Sequence, residues 1–260
     1  MMKSKRIQQI KEYVAQHQVV SLDELVEKFA VSKNTIRRDI QELVDSGEIK
    51  KVYGGVAMND DPSPLVPFAD RQIRNKREKE RIGELAAQFV TDGDIIFVDS
   101  GTTTLEMFEH LKHREITVIT GNLDFIVRCM PYPNLTVITI GGILERRTNS
   151  FVSLKDTGVL STYNINKAFM ASTGISLETG VTNASALETD IKREAVERSM
   201  YTYLLVDHHK FDKFGLMTYC QLSDIDYLIT DSQPNDKYVQ YAREHDVQIV
   251  YPSPVLSHNR

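Results

Sequence analysis

The chain has 260 residues, 41% hydrophobic and 26% charged, with 13 Gly and 8 Pro. That length holds two domains, and the composition excludes collagen-like, disordered and low-complexity architectures. No aliphatic or aromatic run exceeds that of Ile95-Ile96-Phe97-Val98, far short of the roughly 18 apolar residues a membrane-crossing helix needs.

The basic start, Met1-Met2-Lys3-Ser4-Lys5-Arg6, leads into a segment carrying Lys11 and Glu12 without the apolar core of a signal peptide, so a cytoplasmic protein with no membrane contact is expected. Cys129 and Cys220 stand far apart with no CxxC, which suggests neither a disulfide framework nor a zinc site; no metal or cofactor is expected. The net charge of −5 looks unsuited to nucleic acid, but it conceals a split. Residues 1–57 hold 10 Lys and Arg against 8 Asp and Glu, while the remainder holds 21 against 28.

Three helical patterns fill the first 46 residues. Ile7, Ile10 and Val14 share one face of a helix predicted over about 3–17. Ser21, with Glu24 three residues later, reads as a capping box before Leu22, Leu25, Val26 and Phe29. After a tight connection at Ala30-Val31, Ser32 can cap a third helix that buries Ile36, Ile40, Leu43 and Val44 and ends at Gly47. Its first two turns then expose Lys33, Asn34, Thr35, Arg37 and Arg38, side chains able to donate to phosphates and base edges. Two helices, a short turn and a basic-fronted third helix make a helix-turn-helix. Residues 48–56, with turn signals in Gly54-Gly55, read as a hairpin wing carrying Lys50 and Lys51. A packing unit whose charges merely face water is the plainer alternative.

Val31-Ser32-Lys33-Asn34-Thr35-Ile36-Arg37-Arg38-Asp39-Ile40, followed by Leu43, Gly47 and Tyr53-Gly54-Gly55, resembles the signature of the DeoR family of bacterial transcriptional regulators. The resemblance implies a helix-turn-helix over about 20–39 with Ser32, Lys33, Asn34, Thr35, Arg37 and Arg38 as contact residues; with the wing residues Lys50 and Lys51, and with Ser21 and Tyr53, these make the expected DNA-binding set. The expected division is a winged helix-turn-helix domain over 1–58, a linker over 59–75 centred on Asn59-Asp60-Asp61-Pro62-Ser63-Pro64, and a second domain over 76–255. The charged run Arg71 to Arg81 is expected to lie on the wet face of a helix continuing through Ile82, Leu85, Ala86 and Phe89.

Beyond Asp94, β-rich runs at 95–98, 116–119, 135–140, 168–171, 201–206, 227–229 and 247–250 alternate with helical stretches such as 105–111, 186–200 and 236–244. The fold class is therefore α/β, with a mainly parallel sheet covered by helices. Ligands of such sheets collect beyond the carboxyl ends of strands. The loop Asp99-Ser100-Gly101-Thr102-Thr103-Thr104 gathers hydroxyls at a helix start, where a phosphate fits and simple capping is the alternative; it is neither GxxxxGK[ST] nor GxGxxG. Gly121-Asn122 and Gly141-Gly142 end two further strands with room for close backbone approach. Glu188 and Lys192, four apart, suit a surface ion pair, and Asp207-His208-His209-Lys210 offers Lys210 as a point charge for an anion.

The second domain resembles the DeoR-type sensor domain, similar in fold to ribose-5-phosphate isomerase and sugar-phosphate deaminases. The resemblance implies a phosphorylated sugar effector held by Ser100 to Thr104 with Lys210 near the sugar, although Lys210-Phe211-Asp212-Lys213-Phe214-Gly215 departs from the usual KFG. Residues 65–68, 99–104, 149–152 and 163–170 resemble the family's repressors of myo-inositol catabolism, which implies a phosphorylated keto-deoxy-gluconate as effector. The effector set is Asp99, Ser100, Gly101, Thr102, Thr103, Thr104, Gly121, Asn122, Gly141, Gly142, Glu188, Asp207 and Lys210. A repressor released from double-stranded operator DNA, acting as homo-dimer or homo-tetramer because one module reads only a half-site, is the expected function. The alternative is a sugar-phosphate isomerase or deaminase with a DNA-binding appendage, in which Asp207, Glu188 and Lys210 do proton-transfer work.

Overall fold

The computed structural model describes residues 3–17, 19–45, 49–58, 66–152 and 158–252. The chain divides into two compact units, Met1–Pro64 and Leu65–Arg260, each with its own core.

In unit 1 the helical spacing is realised as α1 (Lys3–His17), α2 (Leu22–Phe29) and α3 (Lys33–Asp45). Ile10, Val14, Leu25, Ile36, Ile40 and Leu43 meet in one buried cluster. Both halves of the capping box form: the Ser21 hydroxyl accepts from the Glu24 N–H at 3.1 Å, and the Glu24 carboxylate accepts from the Ser21 N–H. The hairpin is β2 (Ile49–Val52) and β3 (Gly55–Met58), closed at Tyr53-Gly54, where Gly54 takes φ +89°. A third strand, β1 (Val19–Val20), pairs with β3 and was not visible in the pattern. It also changes the role of Gly55. That glycine is not part of the turn; an added Cβ would stand 2.2 Å from the Val20 carbonyl oxygen, so it permits the β1–β3 contact. Gly47 and the stretch 59–64 lie outside the described residues.

Unit 2 opens with α4 (Phe68–Ile73), a turn at Arg74-Asn75, and α5 (Lys76–Ala87). The stretch expected as linker thus carries a helix, and Phe68 is buried in the second core. Asn75 sits in the left-handed region at φ +49°, so the expected single helix is two.

The sheet follows: β4 (Ile95–Val98), β5 (Ile116–Thr120), β6 (Leu135–Thr139), the hairpin β7 (Ile143–Glu145) and β8 (Ser150–Val152), β9 (Lys167–Ala171), β10 (Gly174–Ser176), β11 (Gly180–Asn183), β12 (Tyr201–Leu205), β13 (Met217–Cys220), β14 (Tyr227–Ile229) and β15 (Gln248–Val250). Among these, α6 (Phe108–Leu111), α7 (Leu123–Cys129), α8 (Ala186–Arg198) and α9 (Asp236–Glu244) intervene. A parallel sheet runs β15-β14-β12-β9-β4-β5-β6, and β10-β11-β13 form a small antiparallel one. Alternate residues of its strands enter two different cores. Ile96, Val98, Phe169, Tyr203 and Leu205 pack with helices α5 to α7. Phe97, Ala168, Met170, Leu204 and Leu228 pack with α8 and α9. Burial on both faces is why these strands read as apolar runs.

From β4 the chain winds toward β6 on one side and later returns through β9 toward β15 on the other. The direction reverses between β4 and β9, and in sheets of this kind such a reversal leaves a crevice at the carboxyl ends of the two strands.

Candidate nucleic-acid interface and effector site

In unit 1, the front of α3 is solvent-facing as its spacing requires. Ser32, Lys33, Asn34, Arg37 and Arg38 are exposed and Thr35 half-buried, while Ile36 and Ile40 point inward. Ser32 caps the helix: its hydroxyl accepts from the Thr35 N–H at 3.2 Å and shares a hydrogen bond with the Thr35 hydroxyl at 2.9 Å. Lys33 reaches Asp23 of α2 at 2.5 Å, with both side chains well exposed. A pair so placed is weak and exchangeable. Asp39, by contrast, is buried and accepts two hydrogen bonds from Arg6 of α1 at 2.6 and 3.1 Å. That contact ties α1 to α3 and leaves the helix front basic.

A groove of about 540 Å³ separates α3 from the hairpin, with Ile40 and Val56 in its lining and Arg37, Gln41 and Lys51 beside them. Lys51 donates to the Gln41 side chain at 2.7 Å. Lys50 and Lys51 are exposed, and Tyr53 at the tip is fully so. Ser21 is committed to its capping box.

Unit 2 gathers its charges at the β4/β9 crevice. The Asp99 carboxylate accepts the N–H groups of Ser100 and Ala171 at 2.8 and 2.9 Å and pairs with the Lys192 ammonium; both side chains are at most 5% exposed. Lys192 also lies 5.5 Å from the Tyr219 ring. Glu188 is buried and accepts from the Ser150 hydroxyl at 2.6 Å. The expected surface pair of Glu188 and Lys192 is therefore wrong. Both residues occupy the face of α8 turned to the sheet, where Lys192 is drawn to Asp99. Burial raises the Glu188 pKa against the pull of Lys192.

The Thr104 hydroxyl donates to the carbonyls of Asp99 and Gly101 at 2.7 and 2.9 Å, so it braces the loop. Thr102 and Thr103 are buried and Ser100 half-buried. The helix after the loop begins as a 3-10 turn over Thr104–Met107. Gly121 and Asn122 serve the scaffold too. An added Cβ at Gly121 would meet the Phe151 carbonyl oxygen at 2.9 Å, and Asn122 caps α7 while its amide donates to the Gly101 carbonyl. Close approach at Gly121 is therefore to β8. Gly141 and Gly142, at φ +66° and +103°, turn the chain from β6 into the β7–β8 hairpin.

On the α5 side of the sheet, Asp207 is fully buried after β12. Its Oδ1 accepts the His209 N–H at 3.1 Å and the Asn75 amide at 3.2 Å, while Oδ2 has no protein partner. Lys210, half-buried in the next turn, has its pKa lowered by loss of hydration against the pull of Asp207.

Two cations belong to this site that the sequence reading assigned to a wet helix face. Lys79 is 4% exposed and donates to the Arg71 carbonyl at 2.5 Å. Burial, with Lys210 nearby, brings its pKa down to about 8. Arg71 donates to the Val66 carbonyl at 3.1 Å; burial lowers its pKa against the pull of Glu188 and Asp99. Lys79 held a signal, since it shares a face of α5 with Ile82 and Ala86, but charge concealed it; Arg71 lies on the separate α4. Arg71, Lys79, Lys192 and Lys210 thus surround Asp99, Glu188 and Asp207. Such a cluster offers cations to an anion and carboxylates to hydroxyl groups. Among the described residues no group of acidic, His or Cys side chains has metal-binding geometry, and no helix is long and apolar enough to cross a membrane.

Two family models match the chain: the DeoR-like helix-turn-helix domain over residues 6–61 and the DeoR C terminal sensor domain over residues 74–232. The chain is similar to the HTH-type transcriptional regulator IolR of Bacillus subtilis (strain 168), at 43% identity over 95% of this chain and 99% of that protein. It is also similar to the Glycerol-3-phosphate regulon repressor of Escherichia coli (strain K12), at 31% identity over 96% of this chain and 99% of that one. Among solved structures, ribose 5-phosphate isomerase a from Methanocaldococcus jannaschii matches with a TM-score of 0.39 and 16% identity, over 53% of this chain and 55% of that chain.

Proposed function

The chain belongs to the DeoR family of transcriptional regulators, and from that premise we propose that unit 1 grips operator DNA as a repressor while a phosphorylated sugar at the β4/β9 crevice of unit 2 releases it. The observation that carries this reading is the placement of the cations: exposed along α3 and the hairpin in unit 1, buried (Lys79, Lys192) or half-buried (Arg71, Lys210) around the strand ends in unit 2. Exposed cations suit phosphate contacts that shed counterions. Arg37, Arg38 and Asn34 present the donors that read base edges in the major groove. In unit 2 the loop of Ser100 to Thr103 takes the phosphate, with Arg71, Lys79 and Lys210 as countercharges, and Asp207 Oδ2 accepts a sugar hydroxyl.

Within that ligand class, the likeness to the inositol branch of the family makes a phosphorylated keto-deoxy-gluconate the first candidate. A dimer or tetramer follows from the half-site read by each unit 1. The isomerase or deaminase reading is set aside, because the matched relatives are regulators along their full length.

The test uses the full chain and DNA from upstream of its own gene. Retardation that weakens steeply with salt is expected, and a sugar phosphate that lowers DNA affinity must itself bind less well in the presence of DNA by the same factor. The phosphorylated keto-deoxy-gluconate is the first probe, with ribose 5-phosphate, fructose 6-phosphate, glycerol 3-phosphate and inorganic phosphate beside it. A ligand at about 100 times its Kd adds about 2.7 kcal/mol to stability, and Thr103→Val is expected to lose that gain. Absence of any DNA retardation at low salt overturns the reading.

A further inference from the structure

Asp207 touches more than a prospective ligand. Its Oδ1 accepts the side-chain amide of Asn75 at 3.2 Å, and Asn75 is the left-handed joint between α4 and α5. Between the two helices Arg74 is extended at φ −77° and ψ 137°. Among the contacts that cross the joint are Lys79, whose ammonium donates back to the Arg71 carbonyl, and the Asn75–Asp207 hydrogen bond, which pins the bend to the end of β12. On its other side, α4 is fixed by Phe68: its ring is buried, and its N–H donates to the Arg147 carbonyl at 2.8 Å. Beyond α4 the chain runs toward unit 1, since the division between units falls at Pro64/Leu65.

We propose that Asn75 is the positioning residue that transmits occupancy of the crevice to α4: a ligand hydroxyl that draws Asp207 through Oδ2 loosens the Asn75 hydrogen bond and frees the bend from which the chain leads to unit 1. The inference rests on the reading of Asp207 as an effector ligand. Its physical basis is geometric. Oδ2 is buried with no protein partner, while Oδ1 is shared by Asn75 and the His209 N–H. A carboxylate pulled by a new donor rotates, and of those two donors only Asn75 stands on another element. The left-handed backbone at Asn75 narrows the choice of residue to Asn, Asp or Gly. Of these, Asn alone donates from its side chain.

The experiment compares Asn75→Gly and Asn75→Asp, both tolerant of the backbone and both lacking the donor, the second also setting a like charge against Asp207, with Asn75→Ala, which adds backbone strain. Amide exchange is followed in the full chain without ligand. Exchange at Arg71 to Ile73 is expected to quicken about tenfold in the Gly and Asp variants, the worth of one hydrogen bond to a charged group. In an Asp207→Ala background, adding Asn75→Gly is expected to bring little further change, because the Asn75 amide has already lost its acceptor. On upstream DNA, the Gly and Asp variants are expected to bind at least fivefold more weakly than wild type with no ligand present, and ribose 5-phosphate or fructose 6-phosphate to weaken them no further. Exchange and DNA affinity in the Gly and Asp variants within twofold of wild type, with only Asn75→Ala impaired, would reduce Asn75 to a backbone role and overturn the proposal. Failure of every sugar phosphate to bind wild type sinks the effector reading instead, and exchange at Arg71 to Ile73 still decides the joint.

Discussion

The pair at the front of α3 and the pair at the strand ends of unit 2 use cations in opposite ways. In unit 1 the Lys33–Asp23 pair leaves its side chains 48% and 80% exposed, whereas in unit 2 those of Lys192 and Asp99 are 5% and 3% exposed. Exposed pairs contribute up to about 1 kcal/mol and surrender their charge readily to a polyanion. Buried ones hold each other in place, since removing one partner strands the other without water. On the proposed function, a surface that releases DNA suits the first arrangement, and a site that holds one small anion in one orientation suits the second.

The contrast breaks most visibly if Lys192 is removed. Lys192→Ala leaves the Asp99 carboxylate buried beside two backbone N–H groups alone, and a loss of about 3–5 kcal/mol in urea unfolding is expected. A loss below about 1 kcal/mol would mean that the pair behaves like a surface one. Lys33→Ala, the counterpart in unit 1, is expected to leave stability nearly unchanged.

Lys79 sharpens the comparison through pH. Its pKa falls from 10.5 to about 8 in the fold, so burial penalises the protonated form, and that penalty is fully present below pH 8. Between about 8 and 10.5 the unfolded chain still holds the proton while the folded one has released it, so stability climbs with pH, by roughly 3 kcal/mol in all. Lys79→Met is expected to lack that climb. Parallel stability curves for the two proteins across this window would show that the Lys79 charge is well solvated.

Arg37→Ala is expected to weaken binding to upstream DNA by about 1–3 kcal/mol, while Lys50→Ala weakens all sequences alike and lowers the salt slope by about 1. Melting temperature should not move in either, as both side chains are exposed. The smallest effect is at Ser21, where the capping box makes Ser21→Ala a stability change of about 1 kcal/mol; a larger loss in DNA affinity than in stability would restore it to the interface.

Much of the fold was legible because burial leaves a periodic trace. The spacing of Ile36, Ile40 and Leu43 fixed the side of α3 that faces out, and apolar runs marked β4, β5, β12 and β14 within a residue or so. Two-residue β1 is too short to show a period, β7, β8, β10, β11 and β13 carry polar or glycine residues that break an apolar run, and α7 passed unnoticed because Leu123–Cys129 offers barely two turns. At the site, Asp99, Asp207 and Lys210 could be named from strand ends alone. Arg71 and Lys79 could not, because a charge run on a helix ordinarily lies in water and their burial depends on acids far along the chain.

Sequence alone determined which helix fronts the solvent, how the sheet alternates with helices, and which loop follows β4, since each follows from local propensity and the pattern of apolar residues. Only the tertiary structure decided that Lys192 joins Asp99 rather than Glu188, that Thr104 and Asn122 brace the loop, and that Asn75 bends the chain onto Asp207. These outcomes turn on residues tens of positions apart competing for the same buried oxygen, and the winner is set by distance and desolvation once the sheet has brought its strand ends together.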